Sequence, residues 1–162
     1  YRTNVFAMAY TFHGFIEPMT KRGRGKLVGI ASVSGIRGLP GSEAYGASKS
    51  AVITYNESLR VGLRKTGIKV QTISPGFVRT PLTSANPYKM PFVLTPDEFA
   101  ERAVKTIDSD ASYRTIPWQM GLLAKAMRIA PNCLWDKIVA NRKQKPRLAD
   151  KQKAEAEAAQ RK

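Results

Sequence analysis

The chain has 162 residues, with 27 Lys and Arg against 12 Asp and Glu, a formal net charge of +15. At 43% hydrophobic and 24% charged, it has the makeup of one soluble globular domain of ordinary size. One cysteine, Cys133, and one histidine, His13, exclude an internal disulfide, a multi-cysteine metal site and a histidine cluster, so no metal is expected. No apolar run approaches the roughly 18 residues needed to span a bilayer as a helix. The charge suits an anionic partner or a solvated surface with a basic tail. No zinc-finger spacing or aromatic RNA-binding signature accompanies it, and no nucleic-acid partner is expected. The chain opens on Tyr1-Arg2-Thr3-Asn4, inside a helical pattern and without Met or a secretory signal, the start expected of a C-terminal fragment.

Residues 3–20 read as a helix, with Val5, Phe6, Met8, Ala9, Phe12, Phe15 and Ile16 at helical spacing. Asn4 at its start suits an N-cap; His13 reads as a packing or surface residue. A basic, glycine-containing loop follows from Lys21 to Lys26. Residues 26–32 read as a buried parallel strand, since Leu27, Val28 and Ile30 form a short apolar run without alternation. Ser32 falls at its carboxyl end, where open α/β sheets bind ligands. A hydroxyl there can hydrogen-bond a substrate oxygen and stabilise charge developing on it. Ser34 offers a second hydroxyl, as a substrate or structural contact.

Gly35, Gly38, Pro40 and Gly41 mark a loop. The next helix is expected from residue 43 to about 65 and carries Tyr45-Gly46-Ala47-Ser48-Lys49 in its first turns. Residues four apart lie on one helix face. A free phenol titrates near pH 10, too high for acid-base work at neutrality, and a fixed ammonium nearby favours the phenolate. Tyr45 and Lys49 therefore read as a general acid-base unit for an alcohol or carbonyl oxygen. Taken alone, such a pair is more often a solvated helix face. The small residues Ala44, Gly46, Ala47, Ser48 and Ala51 permit close approach of a backbone or a ligand.

Gly67 ends the helix, and Ile68, Val70, Thr72 and Ile73 alternate into a second strand, broken by Pro75-Gly76. Residues 82–95 show no sustained period; Met90, Phe92 and Val93 serve equally as pocket lining or core anchors. Thr95-Pro96-Asp97-Glu98 carries the signals of a helix start. Phe99, Ala103, Val104 and Ile107 form its buried stripe, and Tyr113–Ile116 read as a last strand. Residues 118–140 are amphipathic and basic, a pattern that suits an anionic membrane surface or a helix pair packed on its own domain. Residues 143–162 form a basic polar tail, compatible with a solvated helix or with disorder.

The set Asn4, Ile30-Ala31-Ser32-Val33-Ser34-Gly35, Tyr45 with Lys49, and Ser74-Pro75-Gly76-Phe77-Val78-Arg79-Thr80 resembles, in order and spacing, the C-terminal part of a classical short-chain dehydrogenase/reductase. The resemblance covers residues 1 to about 85. It implies an α/β fold, the C-terminal part of a Rossmann-type doubly wound parallel sheet over residues 1–117; the amphipathic region 118–142 and the tail 143–162 that follow are read from composition, and the tail carries no family signal. It implies an NAD- or NADP-dependent oxidoreductase interconverting an alcohol and a carbonyl. Tyr45 would transfer the proton, and Lys49 would lower its pKa and hold the nicotinamide ribose. Ser32, with Ser34 beside it, would orient the substrate oxygen, and Asn4 would complete a water-mediated relay. The Pro75-Gly76 turn would face the nicotinamide, with the Val78 backbone and the Thr80 hydroxyl on its carboxamide, and residues 82–95 would set specificity.

The resemblance also implies a homodimer or homotetramer through helices 3–20 and 43–65. A cytoplasmic protein is expected, with peripheral membrane contact through 118–142 as the alternative to a helix pair packed on its own domain. The family's glycine-rich pyrophosphate turn is not in this sequence: Gly23-x-Gly25 precedes a strand, and Gly35-x-x-Gly38 lacks the strand-to-helix context. A C-terminal fragment, inactive alone, is therefore expected. Two other classes of function fit the same residues: a non-catalytic dimerisation module and a basic peripheral membrane-binding protein.

Overall fold

The computed structural model describes residues 1–84, 86 and 89–140; the tail expected at 143–162 lies outside them. Three parallel strands, β1 (Gly25–Ile30), β2 (Ile68–Pro75) and β3 (Tyr113–Ile116), form one sheet in the order β1-β2-β3. Gly25 aligns with Ile68 and Ile30 with Ile73 across the first pair; Thr72 aligns with Tyr113 across the second. Parallel neighbours need long crossovers. Helix α2 (Glu43–Gly62) crosses from β1 to β2; α3 (Pro81–Ser84) and α4 (Pro96–Asp108) lie between β2 and β3. Helix α1 (Ala7–Lys21) precedes the sheet, and α5 (Trp118–Ile129) and α6 (Asn132–Ala140) follow it.

The two faces of the sheet carry separate cores, because successive side chains of a strand point to opposite sides. On one face Leu27, Ile68 and Val70 pack with Phe12 of α1 and Tyr55 and Leu59 of α2. On the other, Ile73 and Ile116 pack with Leu94 and with Phe99, Ala103 and Ile107 of α4. This is the α/β, doubly wound arrangement expected, with a sheet of three strands among the described residues. The central strand is buried almost throughout. Gln71, buried in it, donates from Nε2 to Ser109 O at 2.7 Å, closing the C-terminal end of α4.

Local chemistry sets the element ends. Thr95 accepts from the Glu98 N–H at 3.2 Å, and Glu98 returns the bond to the Thr95 N–H at 2.8 Å, the reciprocal cap that the sequence signals. These bonds hold the Glu98 carboxyl below its usual range. α2 stops at Gly62 rather than near residue 65, and two turns lead to Gly67 at φ +78°. A Cβ there would lie 1.9 Å from Gly23 O, so Gly67 is required both by its left-handed backbone and by the crossing chain. The first helix also departs from the simple reading. Residues Arg2–Phe6 form a π-helical turn, with the Phe6 N–H reaching Tyr1 O at 3.3 Å, and Asn4 lies inside it rather than capping it.

Candidate functional site

The site assembles at the carboxyl end of β1, where Ser32 follows the strand. Its Oγ accepts from the Ser34 N–H at 3.2 Å and caps a 3-10 turn, Val33–Gly35. That bond orients the buried hydroxyl and leaves its proton to donate elsewhere. The first turns of α2 lie directly against this 3-10 turn. A Cβ on Gly35 would meet the Lys49 carbonyl carbon at 2.6 Å, and one on Gly46 would meet Ser34 O at 3.0 Å. The small residues therefore admit a neighbouring backbone. Tyr45 and Ser32 consequently line the same cleft, with Gly76, Phe77, Thr83 and Asn86, around a volume of about 300 Å³.

Tyr45 is 47% exposed. Lys49 Nζ lies 5.9 Å from its ring centroid, within cation–π reach. The same ammonium donates to Ile30 O at 2.9 Å, which pins it at the end of β1 and leaves two donors unspent. Partial burial pulls the Lys49 pKa below the usual lysine value.

Asn4 reaches this centre indirectly. Its Nδ2 donates to Ser48 Oγ at 3.0 Å, and that hydroxyl donates to Tyr45 O at 2.7 Å. Ser48, 1% exposed, thus fastens the π turn to the first turns of α2. Sequence reasoning saw Ser48 only as a small residue. Its position between Tyr45 and Lys49 was the available signal, but its partner lies 44 positions away.

The segment after β2 departs in detail. A Cβ on Gly76 would fall 2.7 Å from Met120 Cγ, so this glycine makes room for α5. Thr83 Oγ1 donates to Val78 O at 2.8 Å and lies 3.2 Å from Thr80 Oγ1, so the Val78–Thr80 turn is held before any ligand arrives. Phe77, Thr83 and Asn86 line the cleft. Phe92 is exposed, and it is Leu94 that anchors the segment in the core. Ser34 lines both this cleft and a second groove of about 550 Å³, which lies between the loop 36–42 and α6. That loop is tied to the last helices. Arg37 donates to Met127 O at 2.9 Å and to Ala130 O at 2.5 Å, and its guanidinium lies 5.1 Å from the Trp135 ring; Trp135 Nε1 donates to Gly38 O at 3.2 Å.

A serine hydroxyl and a tyrosine sharing a cleft beside a lysine agree with a family match over residues 1–90, described as short chain dehydrogenase. The chain belongs to the short-chain dehydrogenase family. An uncharacterized oxidoreductase of Myxococcus xanthus is 41% identical over 134 residues, 83% of this chain and 53% of that protein. One from Staphylococcus saprophyticus is 36% identical over 101 residues, 62% of this chain and 43% of that protein. The chain thus spans about half the length of the curated relatives it matches. Two solved short-chain dehydrogenases share its fold. One, from Burkholderia cenocepacia in complex with NADP, has a TM-score of 0.70 at 18% identity and covers 84% of this chain and 56% of that chain. The other, from Sphingobium yanoikuyae in complex with NADPH, has a TM-score of 0.66 at 23% identity, covering 89% and 56%. The three strands of this short-chain dehydrogenase chain correspond to part of the Rossmann-type fold of those structures, of which the match covers 56%. No helix among the described residues is long and apolar enough to cross a membrane.

Proposed function

We propose that the protein is an NAD(P)-dependent oxidoreductase interconverting a small-molecule alcohol and a carbonyl, with Asn4, Ser32, Tyr45 and Lys49 as its active site. The observation that carries this reading is the common cleft of Ser32 and Tyr45, with the Lys49 ammonium against the Tyr45 ring. In carbonyl reduction the Tyr45 hydroxyl gives its proton to the carbonyl oxygen; in alcohol oxidation it takes the proton back. Ser32, its Oγ oriented by the Ser34 N–H, donates to that same oxygen and stabilises the charge it gains. Lys49 supplies positive charge that favours the phenolate as the proton leaves, and its remaining donors suit ribose hydroxyls. Asn4, linked through Ser48, connects this pair to solvent through a water.

The residues present fit the nicotinamide end of a dinucleotide. The cleft holds Gly76 and Phe77 beside Ser32 and Tyr45, and Pro75, Val78 and Thr80 belong to the same pre-folded segment. When bound, the nicotinamide supplies or accepts the hydride. NAD and NADP both remain compatible, and both relatives described above with a bound cofactor hold the NADP form. This chain alone is expected to be inactive, since its sequence lacks the glycine-rich pyrophosphate turn. A second copy pairing through α1 and α2, where Tyr10, Phe15 and Val61 are exposed, and a cytoplasmic setting belong to the same reading.

The test is Tyr45→Phe in the full-length protein. Turnover of carbonyl substrates should fall by at least about 10²-fold while NADPH binding, read by nucleotide fluorescence, is retained. Near-normal turnover would overturn the assignment.

A further inference from the structure

Helix α5 turns an apolar and basic face away from its own domain. Met120 and Ala124, one turn apart, are buried. Trp118, Leu122, Lys125 and Ile129 follow at intervals of four, three and four, which sets them along one stripe. Trp118 is 63% exposed, Leu122 59% and Ile129 82%. A helix packed on its domain by one face ordinarily turns polar residues outward; this one turns out three large apolar side chains with a lysine among them.

The groove that runs beside the stripe carries charge of one sign. Beside β3, a groove of about 430 Å³ is lined by Tyr113, Arg114, Trp118, Leu122, Lys125 and Arg128 among others, and no carboxylate is part of its described lining. The ion pairs among the described residues involve other cations, Lys21, Lys69 and Lys105. Arg128 reaches Ile36 O at 3.4 Å. On α6, Leu134 and Ile138 are exposed, with the exposed Asp136 and Lys137 between them in sequence. Beyond Ala140 the sequence continues basic, as Asn141-Arg142-Lys143-Gln144-Lys145.

We propose that this face docks on an anionic lipid bilayer. Lys125, between Leu122 and Ile129, can lay its methylene stem along apolar neighbours while its ammonium stays among lipid phosphates. An exposed Trp at the helix start suits the headgroup boundary, where an indole meets both apolar and polar surroundings. Arg114, Lys125 and Arg128 line a groove without a carboxylate, and the nearby Asp136 of α6, which shares the second groove with Arg128, offsets only one of them; this excess of positive charge matches a surface of phosphates. A folded protein partner fits less well, because the cores of protein interfaces are depleted in charge, whereas here the lysine sits within the apolar stripe. The location agrees. α5 packs on β3, the sheet edge opposite β1, while the N-terminal end of the chain enters through α1, packed over β1 and β2. The proposal does not rest on the oxidoreductase reading.

The test is sedimentation of the full-length protein with vesicles of phosphatidylcholine alone and of phosphatidylcholine with phosphatidylglycerol. Salt is set at about 0.1 M and about 1 M, where the screening length falls from about 10 to about 3 Å. Binding should require the anionic lipid and fall at least about tenfold at high salt. Tryptophan emission should shift to the blue on binding, and Trp118→Phe should remove the shift, since Trp135 is already buried. Leu122→Glu with Ile129→Glu, at exposed positions, should abolish sedimentation while leaving the melting temperature and the oligomeric mass unchanged. Sedimentation that ignores lipid charge, or none at all, overturns the proposal. So does a change of oligomeric mass in the double variant, which would make the face a contact between subunits.

Discussion

Replacing Gly35 by alanine probes how closely α2 must approach the turn that follows Ser32. The added Cβ would lie 2.6 Å from Lys49 C, 2.7 Å from Ser50 N and 2.9 Å from Lys49 O. Carbon atoms in contact sit about 3.5 Å or more apart, so roughly 0.9 Å has to be made up. All three neighbours are backbone, and no rotamer change relieves them; α2 itself has to retreat from the Val33–Gly35 turn. Overpacking a dense core costs about 1–3 kcal/mol, and a backbone obstruction belongs at the upper end. At about 2–4 °C per kcal/mol for a domain of 150–250 residues, thermal unfolding of the full-length protein should drop by roughly 5–10 °C. The retreat also separates Tyr45 and Lys49 from Ser32, and a misplacement near 1 Å costs up to about 10²-fold in rate. Gly38→Ala is the internal control, because a Cβ there meets nothing within 4 Å. Scanning calorimetry and turnover on both variants check the reasoning. A Gly35→Ala protein that melts and turns over like the parent, or a Gly38→Ala protein that loses as much, would refute it.

Three other outcomes follow from the same geometry. Ser48→Ala removes the hydroxyl joining Asn4 to the Tyr45 carbonyl and leaves the Asn4 amide without that partner. It should cost about 1–3 kcal/mol and lower kcat more than it changes KM, and the Asn4→Ala/Ser48→Ala double variant should be little worse than either single one; additive losses would argue against a shared linkage. Thr95→Ala deletes one half of the reciprocal cap on α4 and should destabilise by about 1 kcal/mol with unchanged KM, as read by urea denaturation. Lys49 gives a pH signature. Burial lowers its folded pKa, so at alkaline pH the unfolded state holds more protons and stability rises with pH until the unfolded lysine value is reached. The stability of the parent relative to Lys49→Met should therefore climb as pH approaches 10.5; a flat or falling difference contradicts the stated burial.

The cap at Thr95 and the glycine after α2 were legible because each depends on residues a few positions apart. The strands were legible because the short apolar run Leu27-Val28 with Ile30, and the β-branched residues Ile68, Val70, Thr72 and Ile73, suit a buried parallel sheet. The start of the first helix was misread: an asparagine at a helix start ordinarily caps, whereas here its amide is drawn to Ser48 across the helix pair. Gly76, which lines the cleft, also makes room for Met120 of α5, a packing demand the local sequence did not signal. The contacts missed outright, Asn4 with Ser48 and Arg37 with the end of α5 and Trp135, join residues 44 to 98 positions apart. No periodicity spans such a distance.

Residue order alone determined the chemistry on offer: a tyrosine and lysine one helical turn apart, a serine just beyond a buried strand, and a Pro-Gly break after the next. Those follow from helix and strand periods, which are local. That Tyr45 and Ser32 open onto one cleft was decided only by the tertiary structure, because it depends on Gly35 and Gly46 letting two backbones approach within a few ångströms. The same is true of the outward stripe on α5. Amphipathic spacing marks two faces of a helix, but only packing of Met120 and Ala124 against the domain fixes which of them is left to meet solvent or a membrane.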